Sequence, residues 1–197
     1  MTLKRRDFVA LAGLGALAPA IARGHRAAAR HATSSVPASV RNRVSISVRA
    51  MGAVGDGQTR DTLAFQQALD RCAMLGGGEV VVPAGNYVIG AIAIGARTTL
   101  RIDRDATVTG SPDLADYPIR QVRWEGKFVK GRIGLISAEN ADNIAIAGQG
   151  KVIGNTAIPG RVDRSTGLRN PALIELIGCD HVDIGGVFTQ QNAMWSI

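Results

Sequence analysis

Side chains able to do chemistry are sparse in this 197-residue chain. His181 is the only histidine downstream of residue 31, so neither a histidine metal cluster nor a Ser-His-Asp set assembles readily, and no metal or other cofactor is expected. Asp103 and Asp105 sit two apart, and Asp180 and Asp183 three apart with His181 and Val182 between them. Paired carboxylates can act as general acid and base, but these spacings suit turn caps better. Cys72 and Cys179 form an even pair, which makes a disulfide conceivable. Cys72 falls on the apolar face of a predicted helix and Cys179 just before a predicted strand, so two buried free thiols are expected instead.

The elements that must position these groups are clearest between Gly55 and Gly90. Asp61 is a candidate N-cap, and Ala64, Ala68, Leu69, Cys72 and Leu75 recur at helical spacing behind it. The spacing predicts one amphipathic helix over about Thr62 to Leu75. Gly76, Gly77 and Gly78 stop it, because glycine alone enters the left-handed region without steric cost. Val80-Val81-Val82 then reads as a strand ended by Pro83, Ala84-Gly85-Asn86 as a turn, and Tyr87-Val88-Ile89 as a second strand.

No amphipathic helix follows. Short apolar segments recur instead: 91–94, 99–102, 107–108, 135–136, 143–146, 151–153, 173–177 and 180–184. Aligning Thr99-Leu100-Arg101-Ile102 with Asn143-Ile144-Ala145-Ile146 gives a 44-residue offset, and aligning Asp142–Ile146 with Asp180–Ile184 gives 38. Two strand groups per interval suggest coils of roughly 20–25 residues. The predicted fold is all-β, a parallel β-helix whose open first coil is covered by the lone helix. Residues 113–134 break the rhythm, and Arg123, Trp124 and Lys127 within them are candidates to line a binding surface, where an insertion on one face of a solenoid often lies. Ordinary loop packing is the competing reading.

Apolar residues make up 46% of the chain, aromatics 4%, and glycines number 24, which favours stacked small aliphatic side chains over large rings. The net charge of +7 would suit nucleic acid if it were spread over the body. It is not: residues 1–49 hold nine basic side chains against one acid, while residues 50–197 hold 14 basic and 15 acidic groups. No nucleic-acid partner is therefore expected.

Lys4-Arg5-Arg6-Asp7-Phe8-Val9, followed by Ala10 to Ala22, has the order of a twin-arginine export signal, with Arg5 and Arg6 as the recognised pair and the translocase as partner. The apolar stretch of about fifteen residues falls short of the ~20 needed for a stable membrane span. Export of already folded chains from a reducing compartment also favours free thiols. The expected organisation is a signal peptide over 1–22, a disordered lead-in over 23–49 and a β-helix body over 50–197, in a periplasmic or secreted protein.

Gly52, Gly55, Asp56 and Gly57, then Asp61-Thr62, the triple glycine, Val80-Val81-Val82-Pro83-Ala84-Gly85 and Tyr87 together resemble the entry of the polygalacturonase-like family of pectin-degrading glycoside hydrolases (family 28, pectate-lyase-like superfamily). The resemblance implies a right-handed parallel β-helix. Asp116-Tyr117-Pro118 resembles the family's variable loop. Arg169 to Val187 and Gln191 to Ile197 resemble a later segment, with departures: Asn170 after the arginine, His181 for Asn, and Gln191-Asn192-Ala193 for Asn-Ser-Pro. From it Arg169, Asn192 and Trp195 become candidate sugar contacts, through a guanidinium on a uronate carboxylate, an amide, and an indole on a pyranose face. Their alternative roles are an ion pair, a turn cap and core packing.

In that family hydrolysis with inversion uses aspartates on either side of the bond. They lie in Asn-Thr-Asp, Asp-Asp, Gly-His-Gly and Arg-x-Lys motifs, none of which occurs in residues 50–197. The expectation is an N-terminal portion of a glycoside hydrolase for pectic or related acidic polysaccharide, a monomer when complete, with its catalytic residues beyond Ile197. The alternatives are a polysaccharide lyase or epimerase-like β-helix, and a non-catalytic carbohydrate-binding one.

Overall fold

The computed structural model describes residues 44–190 and 193. Its strands are β1 (Val44–Ser47), β2 (Asp56–Arg60), β3 (Gly78–Val82), β4 (Gly85–Ile89), β5 (Ile92–Ala93), β6 (Thr98–Ile102), β7 (Ala106–Gly110), β8 (Ile119–Trp124), β9 (Lys127–Arg132), β10 (Ile136–Glu139), β11 (Asp142–Gly148), β12 (Lys151–Ile153), β13 (Ile174–Ile177), β14 (Asp180–Ile184) and β15 (Phe188–Gln190). The α-helix, α1, spans Thr62–Met74. Three parallel sheets run β1-β3-β6-β11-β14, β2-β4-β7-β12-β15 and β5-β10-β13, and β8 and β9 form an antiparallel hairpin. Each coil visits the three sheets in turn, so the fold is a parallel β-helix, as the recurring short alternating segments predict, and it is right-handed, as the family resemblance implies.

Parallel register stacks like on like inside. Val80, Leu100 and Ile146 form one ladder, Tyr87, Val108 and Val152 a second, and Ile92, Ile136 and Ile174 a third, all buried. Each such aliphatic side chain contributes roughly 1.5–3 kcal/mol by leaving water. In the first coil α1 takes the place in chain order that a third strand holds in later coils. Its buried Ala64, Phe65, Ala68, Leu69 and Cys72 face the stack, and it touches strands of all three sheets. Phe65 meets Tyr87 edge to face at 5.4 Å.

Several expectations need correction. Asp61 sits at the N-cap, but with φ −92° and ψ 4° its carboxylate does not cap α1. Buried, it accepts hydrogen bonds from the Val54 and Gly55 amides at 2.7 and 3.0 Å, tying the helix start to the loop before it. Nor is the lead-in disordered to residue 49. Val44, Ile46 and Val48 alternate with polar residues at strand spacing inside an arginine-rich composition, and β1 pairs with β3. Arg49 itself bridges coils, donating to the Val54 and Ala84 carbonyls at 2.8 and 3.0 Å with its guanidinium over the Tyr87 ring.

The step from Gly78 to its partner Thr98 is 20 residues, within the expected 20–25, but each longer interval is a single coil swollen by insertions and not two coils. Thr99 pairs with Ala145, an offset of 46 where 44 is expected, while Asp142 pairs with Asp180 at the expected 38. A slip of two keeps every side chain on its face, so periodicity cannot detect it. The corner decides it: Gly77, Arg97, Asn143 and His181 occupy equivalent positions in four successive coils, all with positive φ. At Gly77 a Cβ would stand 2.2 Å from the Arg97 carbonyl oxygen. Cys72 is buried and Cys179 half-buried, both free.

Candidate functional site

Two long excursions leave the solenoid at the same corner, between the β7/β12 sheet and the β10/β13 sheet. The first, residues 111–135, carries a 3-10 turn (Leu114–Asp116) and the β8–β9 hairpin; the second is the irregular segment 154–173. The hairpin turns at Glu125 and Gly126, both at positive φ, matching the twist of a two-residue β-turn. At the hairpin's base Tyr117 is buried, donates to the Ser111 carbonyl at 2.9 Å, and has its phenol pushed up to about 12 by burial.

The excursions pack as one wall. Gly131 bridges to Arg169, the Arg132 amide donates to the Arg169 carbonyl at 3.0 Å, and the Ile136 amide to the Leu173 carbonyl at 3.0 Å. A Cβ on Gly131 would lie 2.8 Å from both the Arg169 Cβ and the Val122 Cγ2, so only glycine permits this approach. Two ion pairs lock the wall. Arg132 Nη2 meets Asp163 Oδ2 at 3.0 Å, and Arg169 Nη2 meets Glu175 Oε1 at 2.6 Å while also donating to the Arg132 carbonyl. Glu175 Oε2 accepts from the Gly134 amide at 2.9 Å. Hydrogen bonds from the Ser165 and Thr166 hydroxyls, the Ser165 amide and Arg132 hold the Asp163 carboxyl well below the usual carboxylate range.

Clefts open on both sides of this wall. One, of about 290 Å³, lies between the hairpin tip (Arg123, Glu125, Gly126) and the strand side of β13 (Ile174, Leu176). The other, of about 790 Å³, is lined by Leu114, Arg161, Asp163, Arg164, Ser165 and Asn170. Four buried side-chain atoms lack a partner among the described residues, and all lie in this wall: Trp124 Nε1, Arg132 Nη1, Arg169 Nε and Asn170 Oδ1. Three are donors, and water bridging within the wall would satisfy them.

The sequence model of the family described as "Rhamnogalacturonase A/epimerase, pectate lyase-like" matches residues 45–113. A probable polygalacturonase from Vitis vinifera is 29% identical over 170 residues, which is 78% of this chain and 33% of that protein. An exo-poly-alpha-D-galacturonosidase from Dickeya chrysanthemi is 34% identical over 118 residues, 56% of this chain and 19% of that protein. The family 28 exopolygalacturonase of Yersinia enterocolitica superposes with a TM-score of 0.67 at 25% identity, covering 78% of this chain and 36% of that one. The chain is thus similar to polygalacturonases and, over residues 45–113, to the pectate-lyase-like family. It spans a third or less of the length of the two curated relatives.

In this polygalacturonase-like chain the residues singled out by sequence are dispersed. Arg169 is only 2% exposed and makes an ion pair, the alternative weighed against sugar contact; its guanidinium does not reach open solvent. Asn192, Trp195, Arg5 and Arg6 lie outside the described residues. Arg123 and Lys127 are exposed on the hairpin, and Trp124 is half-buried with its indole turned inward. Asp103 pairs with Arg101 rather than capping a turn, and Arg101 also meets Glu79 at 3.0 Å. His181 is exposed, with Nδ1 2.8 Å from Asp142 Oδ1, and that contact raises the imidazole above its ordinary value. Among the described residues no cluster of three or more His, Cys, Asp and Glu side chains is placed to hold a metal. Glu175, Asp163 and Arg132 were missed. For Glu175 a signal existed: a carboxylate within Leu173-Ile174-Glu175-Leu176-Ile177 needs a buried partner, and Arg169 lies six residues earlier.

Proposed function

We propose that this chain forms the N-terminal, substrate-positioning part of an exported polygalacturonase-like glycoside hydrolase acting on pectic or related acidic polysaccharide. The observation that carries the reading is the stacked wall at one corner of the β-helix, with a cleft rimmed by Arg123 on one side and one lined by Arg161, Arg164 and Ser165 on the other, in a chain whose relatives include an exo-poly-alpha-D-galacturonosidase. The Arg169–Glu175 and Arg132–Asp163 pairs hold the wall rigid, so a bound sugar chain meets a preformed surface. Catalytic carboxylates are assigned outside residues 50–197. Within residues 44–190 the roles are binding and orientation.

Export rests on Arg5 and Arg6 ahead of a short apolar stretch, with residues 1–22 as the signal. The β-helix begins at Val44 instead of residue 50. Among the described residues no helix is long and apolar enough to cross a membrane. An epimerase or lyase is the second reading, favoured by the wording of the matched family itself.

The test is to incubate polygalacturonate with the purified 197-residue chain and, in parallel, with the product of the gene's full reading frame. The reading expects binding by both and new reducing ends from the full product only. Unsaturated product indicates a lyase, and inverted C5 stereochemistry without cleavage an epimerase. Absence of binding and of all three reactions would sink the carbohydrate assignment.

A further inference from the structure

The wall accounts for the centre of one face of the β8–β9 hairpin and, apart from the buried Arg132 at its base, leaves the other face unexplained. Register places Arg120 with Gly131, Val122 with Val129 and Trp124 with Lys127 on one face, and Ile119 with Arg132, Gln121 with Lys130 and Arg123 with Phe128 on the other. On the first face Val122 is buried and Gly131 presses on Arg169, while Arg120 and Lys127 at its ends are exposed. On the second, Gln121, Arg123 and Lys130 are exposed, Phe128 is 60% exposed and Ile119 42%. Such apolar exposure on a paired ribbon points to a ligand surface. Only Arg123 of this face also lines the smaller cleft, so the strip lies beyond it.

Charge narrows the ligand. Residues 119–132 carry five basic side chains and one acid, whereas the rest of residues 50–197 carries nine basic and fourteen acidic ones. The one acid, Glu125, faces Arg161 at 3.5 Å. Arg120, Arg123, Lys127 and Lys130 have no carboxylate partner among the described residues, whereas Arg60, Arg101, Arg132, Arg161 and Arg169 do. A polyanion is therefore drawn to the ribbon and repelled by the surface around it. The Arg123 guanidinium lies over the Phe128 ring at 5.7 Å, with Gln121 and Lys130 one same-face step away, about 7 Å along the strands. That grid offers an apolar ring for a sugar's C–H face, a fork and an ammonium for carboxylates, and an amide for hydroxyls.

We propose that the outer face of the β8–β9 hairpin, built on Arg123, Phe128, Lys130 and Gln121, is a holding strip for an unesterified polyuronate segment, starting at Arg123 on the rim of the smaller cleft and running away from it. It rests on the carbohydrate reading above and adds a site to it. The strip keeps the polymer on the enzyme while a different segment occupies the cleft.

The test measures retardation of the whole chain in native gels containing polygalacturonate, methyl-esterified pectin or dextran sulfate. Phe128→Ala and the double variant Arg123→Ala/Lys130→Ala should each weaken polygalacturonate binding about tenfold, one aromatic or charged contact being worth that much. Gln121→Glu, which adds a repelling charge without removing packing, should weaken it too. Lys151→Ala, an exposed lysine on β12, should not. Binding of polygalacturonate that none of the strip variants alters overturns the strip and leaves the carbohydrate reading intact. Loss of retardation by dextran sulfate equal to that by polygalacturonate, with Phe128→Ala neutral, reduces the strip to nonspecific charge and overturns it. A wild-type chain that ignores polygalacturonate overturns both.

Discussion

Glu175 stands in the middle of an apolar strand, and removing it shows what a buried ion pair is for. Its oxygens serve Arg169 and the Gly134 amide, and both charged side chains are nearly inaccessible. Glu175→Ala strands a buried guanidinium, and the expected loss is about 3–5 kcal/mol. Replacing both partners, as in Arg169→Met/Glu175→Leu, should recover most of it. Chemical denaturation of the three proteins checks this, and an alanine variant as stable as wild type would mean the pair is idle. His181 makes a pH-dependent prediction. Its contact with Asp142 raises the folded pKa above the unfolded value, so the pair's small contribution is fully present below about pH 6.5 and fades as pH rises through the folded pKa. An NMR titration should find the imidazole above its ordinary value, and Asp142→Asn should bring it back down.

At the level of elements, α1 matters less as a helix than as a lid. Thirteen residues of mixed propensity would be marginal alone, and packing on the coil stack supplies the stability. Phe65, fully buried against Tyr87, is the anchor. Phe65→Ala should cost about 3–5 kcal/mol and lower the thermal midpoint accordingly. The corner residues show how an element's phase is set: glycine, arginine, asparagine and histidine share one left-handed position because each coil needs the same sharp turn there. His181 at this position hydrogen-bonds back to Asp142 of the preceding coil.

For the whole molecule the decisive quantity is what the last described coil exposes. β13, β14 and β15 each have a strand neighbour on one side only, Val182 is 39% exposed and Phe188 53%. Unpaired backbone beside apolar side chains is a template for self-association. Residues 24–197 expressed alone should form soluble aggregates or remain partly unfolded in size-exclusion and melting measurements. A sharp, reversible melt of a monomer would contradict this.

The residues alone determined the solenoid, its helical lid and the glycine stop, because alternation, helical spacing and left-handed turns are local properties. They also marked the irregular insertion, since it interrupts a repeat. Register, the number of coils in each longer interval and the fate of Arg169 were decided only in three dimensions. A two-residue slip leaves the pattern unchanged, and a composition rich in arginine hid β1. Whether a guanidinium grips a ligand or a carboxylate depends on what the folded chain brings beside it. Here the chain returned after six residues with Glu175, and burial closed the pair.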